Sequence, residues 1–570
     1  MKKLEQRLRR ALFMVPYLAT KGSEGVLVSE APSMEQDMPS SLPWGTDTDS
    51  SNTEFHVSPL PQHGHTLMDK RPSTLQYSGC MQSPVISKTS YLAGLQCPKL
   101  LWHHFNRPDA FPPIDAATQA LFDQGAQVGA LAKRLFPTGL EIGAGTIEKD
   151  AVDELSRAAL PRRLPLFEAG FIAGCAYARA DVLVPVGRDL WDVVEVKGTT
   201  KAKDVHVHDL ALQRHVYEGA GLSIRRCSVM HLDPEYVRRG EIDARKLFAK
   251  TDLTNDVDEV VGSVGRDLKK MVRIIGQQRS PDVDIGPQCS DPYECPLRAM
   301  CWKAMPKHSV FTLTHVGPKA FQWFHHGIAR LKDIPRDTPV NAKQEIQLRA
   351  TRSRRAQVDR DALREFLDSF EYPLHFLDFE TINPAIPVWD ITSPYQQVPF
   401  QFSLHIVNSP GGKPVRHAFL ADGTADPRPE ILARLKRHLG RRGSIVAYNA
   451  SFEKNVLRAC SEAYPAFATW WTKVEPRVVD LVQPFRSFHY YHPDQCGSAS
   501  IKAVLPALTG KGYAGMEIAD GATANQEFLR ITFRKASAAE RRRVRAALEK
   551  YCALDTEGMV WIVRALDKLV

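Results

Sequence analysis

The sequence predicts an α/β protein built from several domains. Its 570 residues exceed what one hydrophobic core usually holds, and strand-like and helical segments alternate around two pairs of acidic residues. An apolar fraction of 43% and a charged fraction of 24% are those of an ordinary globular chain. No run approaches the length of apolar sequence that a spanning helix needs, so no membrane partner is expected. The net charge of +9 tolerates a polyanionic partner without requiring one.

We expect four segments along the chain. Residues 1–84 are rich in Ser, Pro, Thr and Gly without a sustained period, which predicts a disordered tail. Residues 85–305 and 369–570 each contain a candidate catalytic domain. Residues 306–368 form a helical connector, which is either a packed linker or a helical hairpin that grips a nucleic-acid backbone. Its arginines either contact phosphates or are solvated.

The start of the chain imitates a signal peptide, with a basic stretch followed by a short apolar one. The apolar stretch contains Pro16, and the thiol chemistry considered below needs a reducing compartment. We therefore expect a cytoplasmic protein. The sequence leaves open whether translation starts at Met1 or at Met81. It contains no Walker-type phosphate loop, which excludes an NTP-driven motor of that class.

A first candidate site lies between residues 160 and 235. The pattern there predicts a helix, two strands, a second helix and a third strand. Asp181 opens the first strand, and Glu195 and Lys197 stand two apart on the second, so both project from the same face. Two carboxylates and a lysine at one place suit a divalent cation together with a charge that holds a phosphate or activates water.

The helix that follows carries Gln213 and Tyr217, which are four residues apart and share a face. With the two acids and the lysine, they resemble the PD-(D/E)XK nucleases of the RecB type, including the CRISPR-associated exonucleases with an iron–sulfur cluster. The resemblance implies a restriction-endonuclease-like fold in which the acids hold Mg²⁺ or Mn²⁺, the lysine assists hydrolysis and the Gln/Tyr helix contacts the substrate. Glu168, predicted on the preceding helical segment, is a further candidate acid. Many relatives have a histidine on an early helix, which this chain lacks.

Four cysteines bracket this segment. Cys97 lies upstream, and Cys289, Cys295 and Cys301 fall within thirteen residues. Five-residue gaps are unlike the Cys-x2-4-Cys knuckle of structural zinc. The arrangement resembles the iron–sulfur staple of RecB-type nucleases, which implies a 4Fe–4S cluster on the four thiolates, with Zn²⁺ as the alternative. Such a staple would pin the first and last segments of the domain together.

A second pair of acids, Asp378 and Glu380, shares one face of a strand-like segment. A long apolar strand follows, and then a short strand runs into a helix that has Glu453 on its first turn. Near the C-terminus, Tyr551 and Asp555 are four residues apart in a strong helical pattern and therefore share a face.

The order of these motifs resembles the DnaQ-like exonucleases of the RNase H-like superfamily, in the subgroup with a tyrosine in the last motif. The resemblance implies a mixed sheet flanked by helices, on which acids bind two divalent metal ions that activate water and stabilise in-line displacement at phosphorus. The implied metal ligands are Asp378, Glu380 and Asp555. Glu453 and Asn449 form the second motif, where most relatives have Asp in place of Glu453, and Tyr551 would orient the attacking water. Asp480 is an alternative acid or, otherwise, a helix cap.

A predicted helix start lies between the last two motifs, near Lys502. Gly497, Ser498 and Ser500 precede it, and exposed amides at a helix N-terminus suit a phosphate. The alternative is a Ser-capped helix without a ligand.

The order of motifs over residues 85–570 resembles a bacterial group catalogued as domain-of-unknown-function family 2779, which implies a nuclease architecture. We therefore expect a metal-dependent hydrolase that cuts phosphodiester bonds of DNA or RNA at two centres, with a 3′-to-5′ exonuclease in the C-terminal domain. DNA or RNA is the expected partner, and a helicase partner stays open. The alternative is a nucleic-acid-binding scaffold in which one or both centres are inert, because Glu453 and the missing histidine depart from the two patterns.

Overall fold

The structure, a computed structural model, describes residues 84–143, 145 and 148–570. The predicted disordered tail and the alternative start at Met81 lie outside the described residues, apart from Pro84. The described chain is an α/β protein with mixed sheets, and this confirms the α/β class that the sequence predicts. None of the helices in this part of the chain combines the length and the apolar character that crossing a bilayer requires.

The first half of the described chain is organised around a mixed sheet. Its strands are β1 Ile86–Ser87, β2 Leu140–Glu141, β3 Leu166–Ala173, β4 Ala176–Val186, β5 Leu190–Lys197, β6 Ser223–Leu232 and β7 Phe248–Asp252. They lie in the order β2-β3-β4-β5-β6-β7, and β1 pairs in parallel with β4. The β2/β3 and β5/β6 pairs are parallel, and the other neighbours are antiparallel.

Helices cover this sheet and share its apolar core. They are α1 Lys88–Gln96, α2 Pro98–Asn106, α3 Ala116–Lys133, α4 Lys149–Ala159, α5 Asp204–Gly219, α6 Ala244–Leu247 and α7 Thr254–Ile275. Leu210 and Val216 of α5 and Leu268 of α7 are buried in one cluster with Phe171 of β3. The core therefore fixes α5 against the strands that carry the first candidate site.

The helix predicted near the start of this region is wrong, because residues Leu166–Ala173 form β3. The apolar run is only eight residues long, which suits a strand better than a helix. Gly174 has a φ of +58° and permits the tight turn into β4, so β3 and β4 form a hairpin. Glu168 consequently lies on a strand.

The connector is a packed helical region. The short helix α8 Arg298–Cys301 ends the first domain, and the elements of the connector are α9 Lys319–His325, α10 Ala342–Ser353, β8 Gln357–Val358 and α11 Arg360–Asp368. Val310, Leu313, Ala320 and Leu331 are buried together between them. Arg352 donates a hydrogen bond at 2.6 Å to the carbonyl of Ile334, so this arginine has a partner within the connector. Contact of the region with nucleic acid stays a prediction.

A second mixed sheet follows the connector. Its strands are β9 Leu374–Ile382, β10 Val398–Val407, β11 Val415–Leu420, β12 Ile445–Ala447 and β13 Val478–Asp480. They lie in the order β11-β10-β9-β12-β13. β10 is antiparallel to β9 and β11, while β12 is parallel to β9 and β13. A short strand, β14 Tyr490–Tyr491, pairs with β8 of the connector.

The helices of this part place the last motif on the sheet. They are α12 Arg428–His438, α13 Ser451–Ala463, α14 Ala468–Val474, α15 Gln483–Arg486, α16 Ile501–Thr509, α17 Gly521–Phe533 and α18 Ala538–Asp567. Gln401 of β10 donates a hydrogen bond at 3.0 Å to the carbonyl of Leu548 in α18. The hydroxyl of Thr556 lies 2.8 Å from Ser403 and from His405. These bonds set the register of α18 on β10.

Gly443 lets β12 lie beside β9. Its φ is +89°, and a Cβ at this position would lie 2.1 Å from the carbonyl oxygen of Pro373, so a side chain cannot be accommodated. The next residue, Ser444, donates from its N–H to the carbonyl of Glu371 at 2.7 Å and accepts from the N–H of His375 at 2.9 Å. This contact also positions α13, which follows β12 directly.

Candidate functional site

β4 and β5 bring the first acidic group together. They are antiparallel neighbours, and Asp181 accepts a hydrogen bond at 2.7 Å from the backbone N–H of Val196. Val196 lies between Glu195 and Lys197, which project to the same face of β5. The structure therefore brings Asp181, Glu195 and Lys197 to one place.

Glu195 is held by both of its oxygen atoms. One oxygen accepts hydrogen bonds at 2.7 Å from Lys88 and from Lys197, and the other accepts one at 2.7 Å from Gln213. Asp209 accepts from Lys197 at 2.9 Å and from Gln213 at 3.1 Å, and it lies 3.4 Å from the ammonium of Lys88. Two carboxylates and two ammonium groups thus form one buried network.

Gln213 and Tyr217 support this network from α5. Both side chains are fully buried, and the Tyr217 hydroxyl donates a hydrogen bond at 3.3 Å to the amide oxygen of Gln213. Tyr217 thereby orients the amide that binds Glu195. Contact of these two residues with a substrate stays a prediction.

The charges of the network determine its protonation. Burial and the charge of Glu195 raise the pKa of Asp181 to about 7. Burial opposes the charged forms of Lys88 and Lys197, but the nearby carboxylates outweigh it and the pKa of both lysines is raised. The same lysine charges lower the pKa of Asp209 despite its burial. The pKa of Asp181 therefore lies near neutral pH.

Lys88 and Asp209 belong to this site and were missed by sequence reasoning. Lys88 is the first residue of α1 and lies 107 positions before Glu195, so no local pattern connects the two. Asp209 stands four residues before Gln213 on α5, and the same helical spacing that selected Tyr217 would have selected it. Glu168 pairs with Arg179 at 3.1 Å, and its charge adds to the raised pKa of Asp181, so it lies within electrostatic range of the group.

The four predicted cysteines line one small cavity. Its thiol-bearing residues are Cys97, Cys289, Cys295 and Cys301. Cys97 separates α1 from α2, and Gln96 beside it donates hydrogen bonds to the carbonyls of Gln288 at 2.8 Å and Tyr293 at 2.7 Å. The N-terminal helices are thereby tied to the segment that carries the other three cysteines.

The spacing of the sulfur atoms is wider than a single zinc ion requires. Within the described residues, the one group of three or more ligand atoms that lie within 4.8 Å of one another contains two acids and Cys552, and none of the four cavity cysteines. Tetrahedral zinc with Zn–S bonds of about 2.3 Å would hold its sulfurs only ~3.8 Å apart. Leu100 and Leu297 pack beside Cys295, and burial raises the pKa of this thiol to about 12.

The second acidic group lies where β9, α13 and α18 meet. Asp378 and Glu380 share a face of β9, Glu453 is on the first turn of α13, and Asp555 is on α18. Burial and the charge of Asp555 raise the pKa of Asp378 and of Glu380 well above the usual range, and Glu453 adds to both shifts. Burial raises the pKa of Glu453 to about 8 and that of Asp555 to about 6. The structure therefore brings all four predicted acids into electrostatic contact.

This group fits a hard divalent cation. Ligand atoms of Asp378, Glu380 and Cys552 lie within 4.8 Å of one another, and the Cys552 thiol is 3.8 Å from an oxygen of Asp378. One carboxylate oxygen of Glu453 is buried and makes no hydrogen bond. Such an oxygen costs free energy unless a ligand satisfies it, and carboxylate oxygens are the ligands that Mg²⁺ and Mn²⁺ prefer.

Two tyrosines and a lysine border the second group. The Tyr513 hydroxyl donates a hydrogen bond to Asp555, and its ring centroid lies 6.1 Å from that of Tyr551. The charge of Lys502 on α16 acts to lower the pKa of Glu380 and of Asp555 against the effect of burial. Tyr513 was missed by sequence reasoning, because it precedes α17 in a loop without periodicity.

The predicted helix start at α16 has local partners. Ser500 is the residue before the helix, and its side chain makes no cap hydrogen bond. Its N–H donates to the Ser498 hydroxyl at 3.2 Å, and the Gly497 N–H donates to the Tyr491 hydroxyl at 3.0 Å. Phosphate binding at these amides stays a prediction.

Asn449 and Asp480 organise the turn between β12 and α13. The Asn449 N–H donates to Asp480 at 3.0 Å, and Arg486 donates to the side-chain oxygen of Asn449 at 2.9 Å. Asp480 also accepts at 3.2 Å from the N–H of Val482, the residue directly before α15. The carboxylate of Asp480 is therefore engaged by backbone amides, although its charge adds to the raised pKa of Glu453.

Residues 375–500 match the model of a family described as Domain of unknown function (DUF2779). The match includes β9, β12 and α13 and ends before Asp555. It supports the expected resemblance to family 2779 over this segment, and its description names no activity. No curated protein matches the sequence.

The raised pKa values of the second group predict a stability that depends on pH and on metal. The folded state binds protons more tightly than the unfolded chain, so the metal-free protein loses stability as pH rises from about 4 through about 8. In EDTA we expect the unfolding temperature, measured by differential scanning fluorimetry, to fall by several degrees between about pH 5 and pH 8.

Saturating Mn²⁺ should remove most of that fall because it neutralises the carboxylates. Asp378→Asn should reduce the fall in EDTA, whereas Asp361→Asn, at a side chain that is 99% exposed, should not change it. A fall of equal size with and without Mn²⁺ would contradict this interpretation.

Proposed function

We propose that the protein is a metal-dependent nuclease with two hydrolytic centres. The observation that carries the proposal is the gathering of the half-buried Asp378 with the buried Glu380, Glu453 and Asp555 in one electrostatically coupled group, on which the charge of Lys502 also acts. Clustered carboxylates with strongly perturbed pKa values are characteristic of sites that bind cations or move protons.

The sheet that carries this pocket supports an RNase H-like assignment. A mixed sheet has its first strand, β9, in the centre, and the helix of the last motif, α18, lies across β9 and β10. The match to family 2779 covers the same strands. For the first sheet, acids on the neighbouring strands β4 and β5 and a lysine two residues after the second acid support the PD-(D/E)XK assignment.

At the second centre, Asp378, Glu380 and Asp555 would hold divalent cations, with Glu453 completing the set. Bound cations of this kind activate water and stabilise charge that develops at phosphorus. Tyr513 holds the Asp555 carboxylate by a hydrogen bond, and Tyr551 lies beside it. Lys502 supplies the positive charge that a phosphate group needs next to four acids.

At the first centre, Asp181 and Glu195 would hold the cation. Both oxygens of Glu195 already accept hydrogen bonds from Lys88, Lys197 and Gln213. A cation that binds here must therefore displace at least one ammonium group from Glu195. A lysine released in this way is free to contact the phosphate.

The cysteine cavity supports a 4Fe–4S cluster held by Cys97, Cys289, Cys295 and Cys301. Four thiols line one cavity, and their sulfurs are spread more widely than a single zinc ion requires. We assign the cluster a structural role, because it would hold α1 and α2 against the segment that ends the first domain. Zn²⁺ is the alternative occupant.

Single substitutions should separate the two centres. With Mn²⁺ and end-labelled single-stranded DNA and RNA, we expect Asp378→Asn and Glu195→Gln each to abolish one component of cleavage, with a loss of roughly 100-fold or more for that component. The double variant should cleave nothing and still bind nucleic acid, because the substitutions remove carboxylates that would hold the cations and leave every lysine and arginine in place. Cleavage assays and filter binding on the same samples measure both.

Glu218→Gln serves as the matched control for Glu195→Gln, since Glu218 is also on the first domain and is 42% exposed. Intact substrates under all metal conditions, together with retained binding, would favour the scaffold alternative over the nuclease. Cleavage that survives in the double variant would contradict the assignment of both centres.

A 4Fe–4S cluster in the cysteine cavity would make the protein coloured. After anaerobic purification we expect absorbance near ~400 nm and iron and sulfide in about equal amounts, as iron–sulfur thiolate clusters give. Cys295→Ser should lose the absorbance, whereas Cys175→Ser, at a cysteine outside the cavity, should keep it. A colourless protein with one bound zinc per chain would assign the cavity to Zn²⁺ instead.

A further inference from the structure

The loop between β9 and β10 connects the two candidate centres. Residues 383–397 leave β9 directly after the strand that carries Glu380. The hydroxyl of Tyr395 in this loop donates a hydrogen bond to the carbonyl of Gly198. Gly198 follows Lys197, the lysine of the first centre. One loop of the second domain therefore touches the end of the strand that carries the first centre.

Apolar side chains of the loop are buried against the first domain. Ala385 and Ile386 are almost fully buried, and Tyr395 packs beside them. Their neighbours in this cluster come from α3, β6 and the segment after it: Val128, Leu131, Leu232, Tyr236 and Leu247. Since apolar burial is the dominant favourable term in such contacts, the loop is a fixed part of the first domain's surface.

Backbone hydrogen bonds hold the loop in one register on the first domain. The N–H of Arg238 donates to the carbonyl of Thr392 at 3.0 Å, and the N–H of Ile391 donates back to the carbonyl of Arg238 at 2.9 Å. The guanidinium of Arg238 also donates to the carbonyl of Pro387 at 2.9 Å. These hydrogen bonds therefore fix the backbone from which Tyr395 reaches Gly198.

The second domain holds the same loop in a strained conformation. Ile391 has a φ of +54° and Tyr395 a φ of +61°, a region that residues with a Cβ rarely adopt and that a β-branched residue adopts least of all. Arg428, which is 1% exposed, donates to the carbonyl of Ile391 at 2.8 Å and pairs with Asp426. Strained residues persist where the surroundings over-determine them, and they are common at functional sites.

We propose that Tyr395 is a positioning residue for the first hydrolytic centre, so that the second domain completes the first. The proposal rests on the proposed nuclease function of the first centre. Tyr395 holds the carbonyl of Gly198, the residue after Lys197, and thereby restrains the backbone at the end of the strand from which the Lys197 side chain projects. The ammonium of Lys197 lies 2.7 Å from Glu195 and 2.9 Å from Asp209, and small displacements of such groups reduce rates strongly.

The test uses the full chain with one centre silenced at a time. In an Asp378→Asn background, end-labelled single-stranded DNA and RNA with Mn²⁺ report on the first centre alone. Adding Tyr395→Phe removes only the hydroxyl, and we expect kcat to fall about tenfold while KM changes less than about twofold. In a Glu195→Gln background, the same substitution should leave cleavage by the second centre unchanged.

Tyr236→Phe is the matched control. Tyr236 lies in the same apolar cluster, and its hydroxyl accepts a hydrogen bond from the N–H of Asp243 in its own domain. We expect Tyr236→Phe to leave kcat of the first centre unchanged. Equal losses in Tyr236→Phe and Tyr395→Phe, or equal losses at both centres, would overturn the proposal because they indicate a general effect on the interface.

The parent variants separate this proposal from the nuclease function. If Asp378→Asn protein cleaves nothing, the first centre is not a nuclease, and the proposal fails together with that function. If the parent cleaves and Tyr395→Phe cleaves equally fast, only the positioning role is overturned.

Discussion

The main constraint on the second domain is that acidic side chains of like charge lie close together in it. Asp378, Glu380, Glu453 and Asp555 repel one another in a pocket of low dielectric, where Coulomb energies are several times larger than in water. Lys502 offsets part of this repulsion, and protonation or bound cations relieve the rest. The fold nevertheless keeps the acids together, because β9 is fixed between β10 and β12 and α18 is bonded to β10. These contacts fix the strand and the helix that carry Asp378, Glu380 and Asp555.

The two centres balance their charges in different ways. At the first centre, Lys88 and Lys197 face Glu195 and Asp209 at hydrogen-bond distance, so the network is nearly neutral without a metal. At the second centre, Lys502 acts on the acids at longer range and the pKa values of all four are raised. Under the proposed function, a metal ion would therefore compete with lysine at the first centre and with protons at the second.

Local spacing explains which parts could be predicted from the sequence. Asp378 and Glu380 share a face because alternate residues of a strand point to the same side. Tyr551 and Asp555 share a face because residues four apart on a helix lie one above the other. The α/β class and the common cavity of Cys97 with the other three cysteines also follow the expectations from sequence. The family match covers the segment from β9 through α13, while the activities and cofactors stay predictions.

Contacts between distant segments explain what could not be predicted. Lys88 reaches Glu195 across 107 positions, and Tyr395 reaches Gly198 across 197, so neither pairing leaves a local signal. Tyr513 joins Asp555 from a loop. The sequence pattern predicts a helical segment around Glu168, but Leu166–Ala173 form a strand that turns at Gly174 into β4. A short apolar run does not distinguish the two structures.

Crystals soaked in Mn²⁺ and measured for anomalous scattering test the central claim most directly. We expect an anomalous peak in direct contact with the carboxylates of Asp378, Glu380 and Asp555, and a separate one beside Asp181 and Glu195. Well-ordered carboxylates at both places without any peak at saturating Mn²⁺ would contradict it.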